Sequence, residues 1–402
     1  MRGNYLNKRK LATGISLNVL FLGFTSFLTD VSSEMVFALL PFYMVSLGTP
    51  MIFVGVIEGA AETTASILKI FSGWFSDKVR KRKPFAVFGY SLSAILKPLF
   101  AFAIYPIQIL LIRISERFGK GIRTAPRDAL IADSIGEEDR GKAYGFHRTL
   151  DTLGAVFGPL LAFLLFPLLF YRGVFLVSFI PAVLAVLLLI VFVKEGRNPK
   201  TKGEAKIESV NFKLLSKNFM VFIFIVAIFT FGNFSYAFFL LQTKNFGIDE
   251  SVAILLYLLF NVSYAFFAFP LGTLSDKIGK KPVVSLGYGI FGITCLLFAY
   301  GSTPFHGFIS FILYGLSFAI VDTVQRAIIP DLVPHDKRGT AFGLFHAVVG
   351  LVTFPSSLVA GALWEAYGAP VPFLLSSILS LLAAIFILFT ISIKEKNEEG
   401  LF

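Results

Sequence analysis

The sequence predicts an all-α membrane protein, with twelve transmembrane helices in two pseudo-symmetric six-helix bundles. Three observations lead there. The 402 residues are 56% hydrophobic and only 15% charged. The apolar residues fall in runs of about twenty or more, the length that crosses a hydrocarbon core of ~30 Å. And the chain echoes itself at half its length, which signals two similar halves.

Apolar runs bounded by Gly, Pro and charge predict spans 1 to 6 at 14–47, 51–76, 84–105, 107–132, 140–168 and 172–193. Spans 7 to 12 follow at 213–243, 250–275, 282–301, 304–330, 339–366 and 369–393. The polar stretch 194–212 reads as a cytoplasmic linker between an N-terminal bundle, 1–193, and a C-terminal bundle, 213–402.

A net charge of +11 first suggests nucleic acid, but its placement argues otherwise. Of 36 Lys and Arg, 25 fall in the N-terminus, the C-terminus and alternate loops with their adjoining span ends, and nine deeper within spans. Only Arg172 and Lys244 fall in the other loops. This is the positive-inside asymmetry, so the charge sets orientation and no nucleic-acid partner is expected. Twelve spans put both termini on one side. The basic loops 78–83, 194–217 and 277–281 make that side the cytoplasm, and the plasma membrane is the expected location. Residues 1–10 are polar and basic, but the following segment is too long and carries acids, so no cleavable signal is read. The single cysteine, Cys295, permits no disulfide within the chain.

The echoes are specific. Gly73-Trp-Phe-Ser-Asp77-Lys-Val-Arg80-Lys-Arg-Lys-Pro84 returns as Gly272-Thr-Leu-Ser-Asp276-Lys-Ile-Gly279-Lys-Lys-Pro282, 199 positions later. Asp133 followed by Arg140-Gly-Lys-Ala-Tyr-Gly145 returns as Asp331 followed by Arg338-Gly-Thr-Ala-Phe-Gly343, at an offset of 198. Parallel six-helix repeats are one architecture of secondary transporters.

On these motifs the chain resembles the major facilitator superfamily over essentially its whole length. The loop after span 8 (Gly272, Leu274, Asp276, Lys277, Gly279, Lys280, Lys281) fits the family signature. The loop after span 2 departs from it at Phe75 and Arg80. An arginine resists the positive φ that a glycine allows there. The resemblance implies the major facilitator fold, a gating role for Gly73, Asp77, Arg80, Gly272, Asp276 and Gly279, and an ion pair at Asp77. In span 4, Arg113, Gly119 and Gly121 match a second motif, whose arginine is associated with proton coupling; Arg117 replaces a usual glycine. In span 5, Gly145, Gly154, Gly158 and Pro159 are similar to the motif of drug/proton antiporters, although Ala162 and Phe163 replace its closing glycines. Small residues there let helices approach closely, and the proline bends the helix.

Charge inside the spans concentrates in the first half. Asp30 and Glu34 lie four apart on span 1, as do Glu58 and Glu62 on span 2. Span 4 holds Arg113, Glu116, Arg117, Lys120, Arg123 and Arg127; span 5 holds His147, Arg148 and Asp151. A charge at the bilayer centre costs ~2.5–3.5 kcal/mol even on the lenient insertion scale, so these groups must face protein or water. Asp30, Glu34, Glu62, Arg113, Glu116 and Asp151 are the proton-coupling candidates. Arg123, Arg127, Asp128 and Asp133, near the cytoplasmic end, read as structural ion pairs. The substrate-cavity candidates are Arg117 and His147 with Asn233, Tyr236, Tyr257, Asn261, Asp322, Gln325 and Arg326, since polar and aromatic groups suit an organic molecule. The histidines show no metal-ligand spacing, and no metal or cofactor is expected.

The expected function is proton-coupled export of a small organic compound by alternating access. The alternative is proton-coupled import of a sugar, nucleoside or organic acid. A membrane enzyme lacks a nucleophile constellation, a receptor lacks an added domain, and an ATP-driven pump lacks the Gly-x-x-x-x-Gly-Lys-(Ser/Thr) loop. The protein is expected to work as a monomer in the lipid bilayer, with a small molecule and protons as its partners.

Overall fold

The computed structural model describes residues 15–79, 81–136, 139–195, 216–334 and 337–390. Arg80, the side chain of Asp77, and all of the predicted linker except Lys194 and Glu195 lie outside that description. The first half contains α1 (Leu17–Phe37), α2 (Leu40–Ser46), α3 (Met51–Val79) and α4 (Lys83–Leu96), the last extended by a 3-10 turn, Lys97–Phe102. It continues with α5 (Pro106–Asp133), α6 (Arg140–Val177) and α7 (Phe179–Phe192). The second half contains α8 (Lys217–Gly232), α9 (Tyr236–Gln242), α10 (Glu250–Ile278) and α11 (Lys280–Tyr300). It ends with α12 (Pro304–Leu332), α13 (Arg338–Tyr367) and α14 (Pro370–Thr390).

Among the described residues, 10 helical segments are long and apolar enough to cross a bilayer. One of them, Arg140–Phe192, has 53 residues and holds two predicted spans, divided at Phe170, whose φ of 52° interrupts the helix. The 28 residues of α5 are long enough to span but too charged to be among the ten. All twelve predicted spans are therefore present.

The first span of each half is capped alike and broken part-way. The Ser16 hydroxyl accepts from the Val19 amide, and the Ser216 hydroxyl from the Phe219 amide, which satisfies an orphan donor in each first turn. Between α1 and α2 the cause of the break is Pro41: it has no N–H, and its ring collides with the carbonyl four residues earlier. Between α8 and α9 the chain turns at Asn233 (φ −97°, ψ 72°), and the Ser235 amide donates to Ser357 Oγ at 3.2 Å.

Contacts divide the described residues into two compact units. One comprises 15–49, 60–195 and 250–258; the other comprises 50–59, 216–249 and 259–390. In the first, Arg82 Nη1 pairs with the Asp133 carboxylate and donates to the Ala129 carbonyl at 3.1 Å. In the second, Lys280 Nζ pairs with Asp331 at 2.6 Å and donates to the Ala327 carbonyl at 2.8 Å. Every member of the second set lies 198 positions after its counterpart. The same clamp thus ties each signature loop to the end of the helix two spans on. The register also accounts for Arg80. Asp77 is five residues before Arg82, whereas Asp276 is four before Lys280, so the first loop carries an extra residue. The shorter loop turns at Gly279 with φ of 94°, a conformation that suits glycine.

Candidate functional site

The site grows from the crossing of α1 and α6. Gly154 and Gly158 let the backbones touch. A Cβ on Gly154 would lie 2.5 Å from the Phe27 carbonyl and 2.9 Å from Asp30 Cβ. One on Gly158 would lie 2.5 Å from Glu34 Cβ and 2.8 Å from the Val31 carbonyl. The two glycines therefore press against the turns that bear the two acids. Pro159 follows inside the helix, and Gly145 borders open space. The carboxyl groups of Asp30 and Asp151 interact across this crossing. Asp151 also accepts from the Ser26 hydroxyl at 2.6 Å and pairs with Arg148 at 3.2 Å. Arg127 Nη1 reaches the same Ser26 Oγ at 3.4 Å. His147 is buried one turn away, its Nε2 without a hydrogen-bond partner.

A second cluster surrounds Phe37. The guanidinium carbons of Arg113 and Arg117 lie 3.9 and 4.7 Å from its ring centroid, within cation–π range. Glu116 is buried between them, 3.6 Å from Arg113 and 3.7 Å from Arg117. Arg117 also pairs with Glu62 of α3 at 2.6 Å. Glu34 accepts from the Tyr257 hydroxyl at 2.7 Å, so a residue of α10 joins the first unit's acids. Lys120 is exposed on α5, nine residues from exposed Leu111 and so about two and a half turns away, on the opposite face. If Leu111 meets lipid, Lys120 meets water. Deeper on the helix, Arg123 donates to Ser93 Oγ at 2.7 Å and lies 4.5 Å from the Tyr90 ring, while Arg127 grips Asp128 at 2.8 Å. Of these inner charges, Arg127 and Asp128 pair with each other and Asp133 pairs with Arg82, whereas Arg123 meets a hydroxyl and a ring.

Sequence reasoning did not single out Lys97. It is completely buried at the start of the 3-10 turn and donates to the Thr29 carbonyl at 3.3 Å and Ser32 Oγ at 3.1 Å. These acceptors flank the Asp30 turn from behind. The available signal was a lysine inside an apolar run, next to Pro98.

The second unit gathers a different set. The Tyr264 hydroxyl donates to Asp322 at 3.1 Å, and Asp322 pairs with Arg326. Gln325 donates to the Tyr288 hydroxyl at 2.6 Å, and Asn261 is buried on α10. Asn233 and Tyr236 flank the break between α8 and α9, on another pair of elements. Of the gating residues, Gly73 packs toward Ala125, Gly272 borders open space and Asp276 is exposed. Among the described residues no cluster of His, Cys, Asp or Glu could hold a metal ion.

A sequence profile of the Major Facilitator Superfamily matches residues 22–243 and again 220–401. The chain belongs to the major facilitator superfamily. It is 42% identical over 398 residues to an uncharacterized MFS-type transporter of Methanocaldococcus jannaschii, covering 97% of this chain and 98% of that one. A crystal structure of the nucleoside transporter NupG superposes with a TM-score of 0.76 at 17% identity, over 92% of this chain and 98% of that chain, a likeness of fold. Multidrug resistance protein 2 of Bacillus subtilis is 29% identical over 129 residues, 31% of this chain and 32% of its own length. This major facilitator protein is a transporter rather than an enzyme.

Proposed function

We propose that this transporter exports a small organic compound in exchange for protons, by alternating access, with Asp30, Asp151 and Glu34 as the proton-holding groups. The observation that carries this reading is the meeting of the Asp30 and Asp151 carboxyl groups at the Gly154 crossing, where the helix backbones touch. Two neighbouring carboxyl groups repel each other unless a proton is held between them. Where no side chain separates α1 from α6, a small slide of one helix changes the distance between the acids, and with it their hold on that proton. Arg148 and Ser26, the latter also reached by Arg127, hold Asp151 when the proton leaves. Glu34, bonded to Tyr257, would sense the same movement from the next turn.

Partial similarity to a multidrug resistance protein supports export as the direction. The basic loops 78–83 and 277–281 support cytoplasmic termini in the plasma membrane. Arg117 and Lys120 of the first unit are our candidates for contacting the compound.

A thermal-shift screen of the purified protein would first identify a compound that binds. Proteoliposomes with an imposed pH gradient then test the coupling. The expected result is movement of the compound against the proton flow. Movement with the protons would overturn antiport and establish import by symport, of a sugar, nucleoside or organic acid.

A further inference from the structure

Away from the charged site, α3, α4 and α5 enclose a groove with about 400 Å³ of free volume. Its wall is almost wholly apolar and largely aromatic: Phe71, Phe75, Pro84, Phe85, Phe88 and Ile122. Phe71, Phe75 and Phe88 are 62%, 48% and 54% exposed, so the groove opens outward from the protein. One end reaches the signature loop, where five of the six residues 78–83 are basic.

Two of those cations are already committed. Arg82 is clamped to Asp133, and Lys83 Nζ donates to the Ile190 carbonyl at 2.8 Å. Lys78 and Lys81 are exposed and, among the described residues, have neither ion pair nor hydrogen bond. Lys78 Nζ stands 5.0 Å from the centroid of the Trp74 ring. A tryptophan beside a lysine at the end of a span is the usual arrangement at headgroup depth. An apolar trough that ends at free cations complements a molecule with an anionic head and a hydrocarbon tail.

We propose that this groove binds an anionic phospholipid, with an acyl chain against Phe71, Phe75 and Phe88 and the phosphate between Lys78 and Lys81. Basic residues at a membrane surface attract such lipids strongly. The second half offers no equivalent. At the matching positions Pro270, Leu274, Val283 and Leu286 replace Phe71, Phe75, Phe85 and Phe88, and its loop is one residue shorter. The lipid site does not depend on the direction or coupling of transport.

The chain carries its own reporter, because it has only two tryptophans, Trp74 and Trp364. A Trp364→Phe variant of the full chain leaves Trp74 as the sole tryptophan. Reconstituted into phosphatidylcholine bilayers, it can be titrated with brominated phosphatidylglycerol or brominated phosphatidylcholine, each quenching only when bound nearby. The expected result is preferential quenching by phosphatidylglycerol, with relative binding roughly five-fold higher for each lysine engaged. Lys78→Gln with Lys81→Gln should remove the preference, while Lys277→Gln in the second half should preserve it. Phe71→Ala with Phe88→Ala should weaken quenching by both lipids. Equal quenching by the two lipids in the parent would overturn the proposal. So would a preference that survives loss of both lysines, or an aromatic double variant that quenches like its parent.

Discussion

The two halves of this transporter solve one packing problem with opposite chemistry. On α5, the residues Arg113, Glu116, Arg117 and Lys120 hold the charged cluster. On α12, 198 positions later, their counterparts are Phe311, Tyr314, Gly315 and Phe318. Lys97, fully buried behind α1, becomes the buried Cys295. Tyr314 stacks on Phe239 at 4.5 Å and meets Phe260 at 4.6 Å, where the first half has Glu116 between two arginines. The repeat fixes backbone positions and clamps, and leaves the interior chemistry free. Charge is costly at membrane depth, so its concentration in one half is what led us to propose proton handling there. The other half packs ring on ring at the matching positions.

The comparison breaks most visibly if the acid of the first half has no greater effect than its counterpart. The matched serine caps put Thr230 of α8 at the position of Asp30, 200 residues on. Asp30→Asn should reduce gradient-driven transport in proteoliposomes to background while leaving exchange of the compound. Thr230→Val should leave both unchanged. If Asp30→Asn transports normally, the proton site lies elsewhere, with Glu34, Glu62 and Glu116 next to be tested.

Position 117 and its counterpart 315 sharpen the contrast in stability. Arg117 is almost fully buried and holds both Glu62 and Glu116. Arg117→Leu removes the Glu62 pair and one of the two cations beside buried Glu116, and breaking a buried pair costs about 3–5 kcal/mol. Gly315 instead lets α12 touch α10: a Cβ there would lie 2.5 Å from the Phe260 carbonyl and 2.6 Å from Ser263 Cβ. Gly315→Ala is an overpacking change, of about 1–3 kcal/mol. Thermal unfolding of the two purified variants should rank them in that order. A larger loss for Gly315→Ala would mean that the charged cluster is not what holds the first half together.

Much of this was legible in the sequence, for identifiable reasons. Span lengths follow from bilayer thickness, so all twelve spans could be read from apolar runs. Asp30, Glu34 and Asp151 were visible because a carboxylate is rare in such runs. The break after α1 was missed because Pro41 reads equally well as a residue in a bent but continuous helix. Lys97 was missed because its partners are a backbone carbonyl and a serine, which leave no charge pattern. The change of offset from 199 to 198 already implies an extra residue in the first half, and the Arg82 and Lys280 clamps place it in the first signature loop, where Arg80 read as a substitution of glycine. The contact between Glu34 and Tyr257 joins residues 223 apart and had no local signal at all.

The smallest expected effect concerns the crossing where the site began. Gly158 meets the Val31 carbonyl with no side chain between, and its counterpart in α13, Ser356, donates its hydroxyl to the Phe231 carbonyl at 2.8 Å. Phe231 lies 200 positions after Val31, so both residues address equivalent carbonyls on the first helix of their half. Ser356→Ala keeps the Cβ and removes only the hydrogen bond, a loss of about 0.5–1.5 kcal/mol. The reverse change, Gly158→Ser, places a Cβ against Glu34 Cβ and forces α1 away from α6. It should lower the unfolding temperature more than Ser356→Ala and also weaken proton-driven transport, because it alters the spacing of the acids. Ser356→Ala should leave transport rates at the parent level. Equal effects of the two changes on transport would show that close approach of α1 and α6 plays no part in coupling.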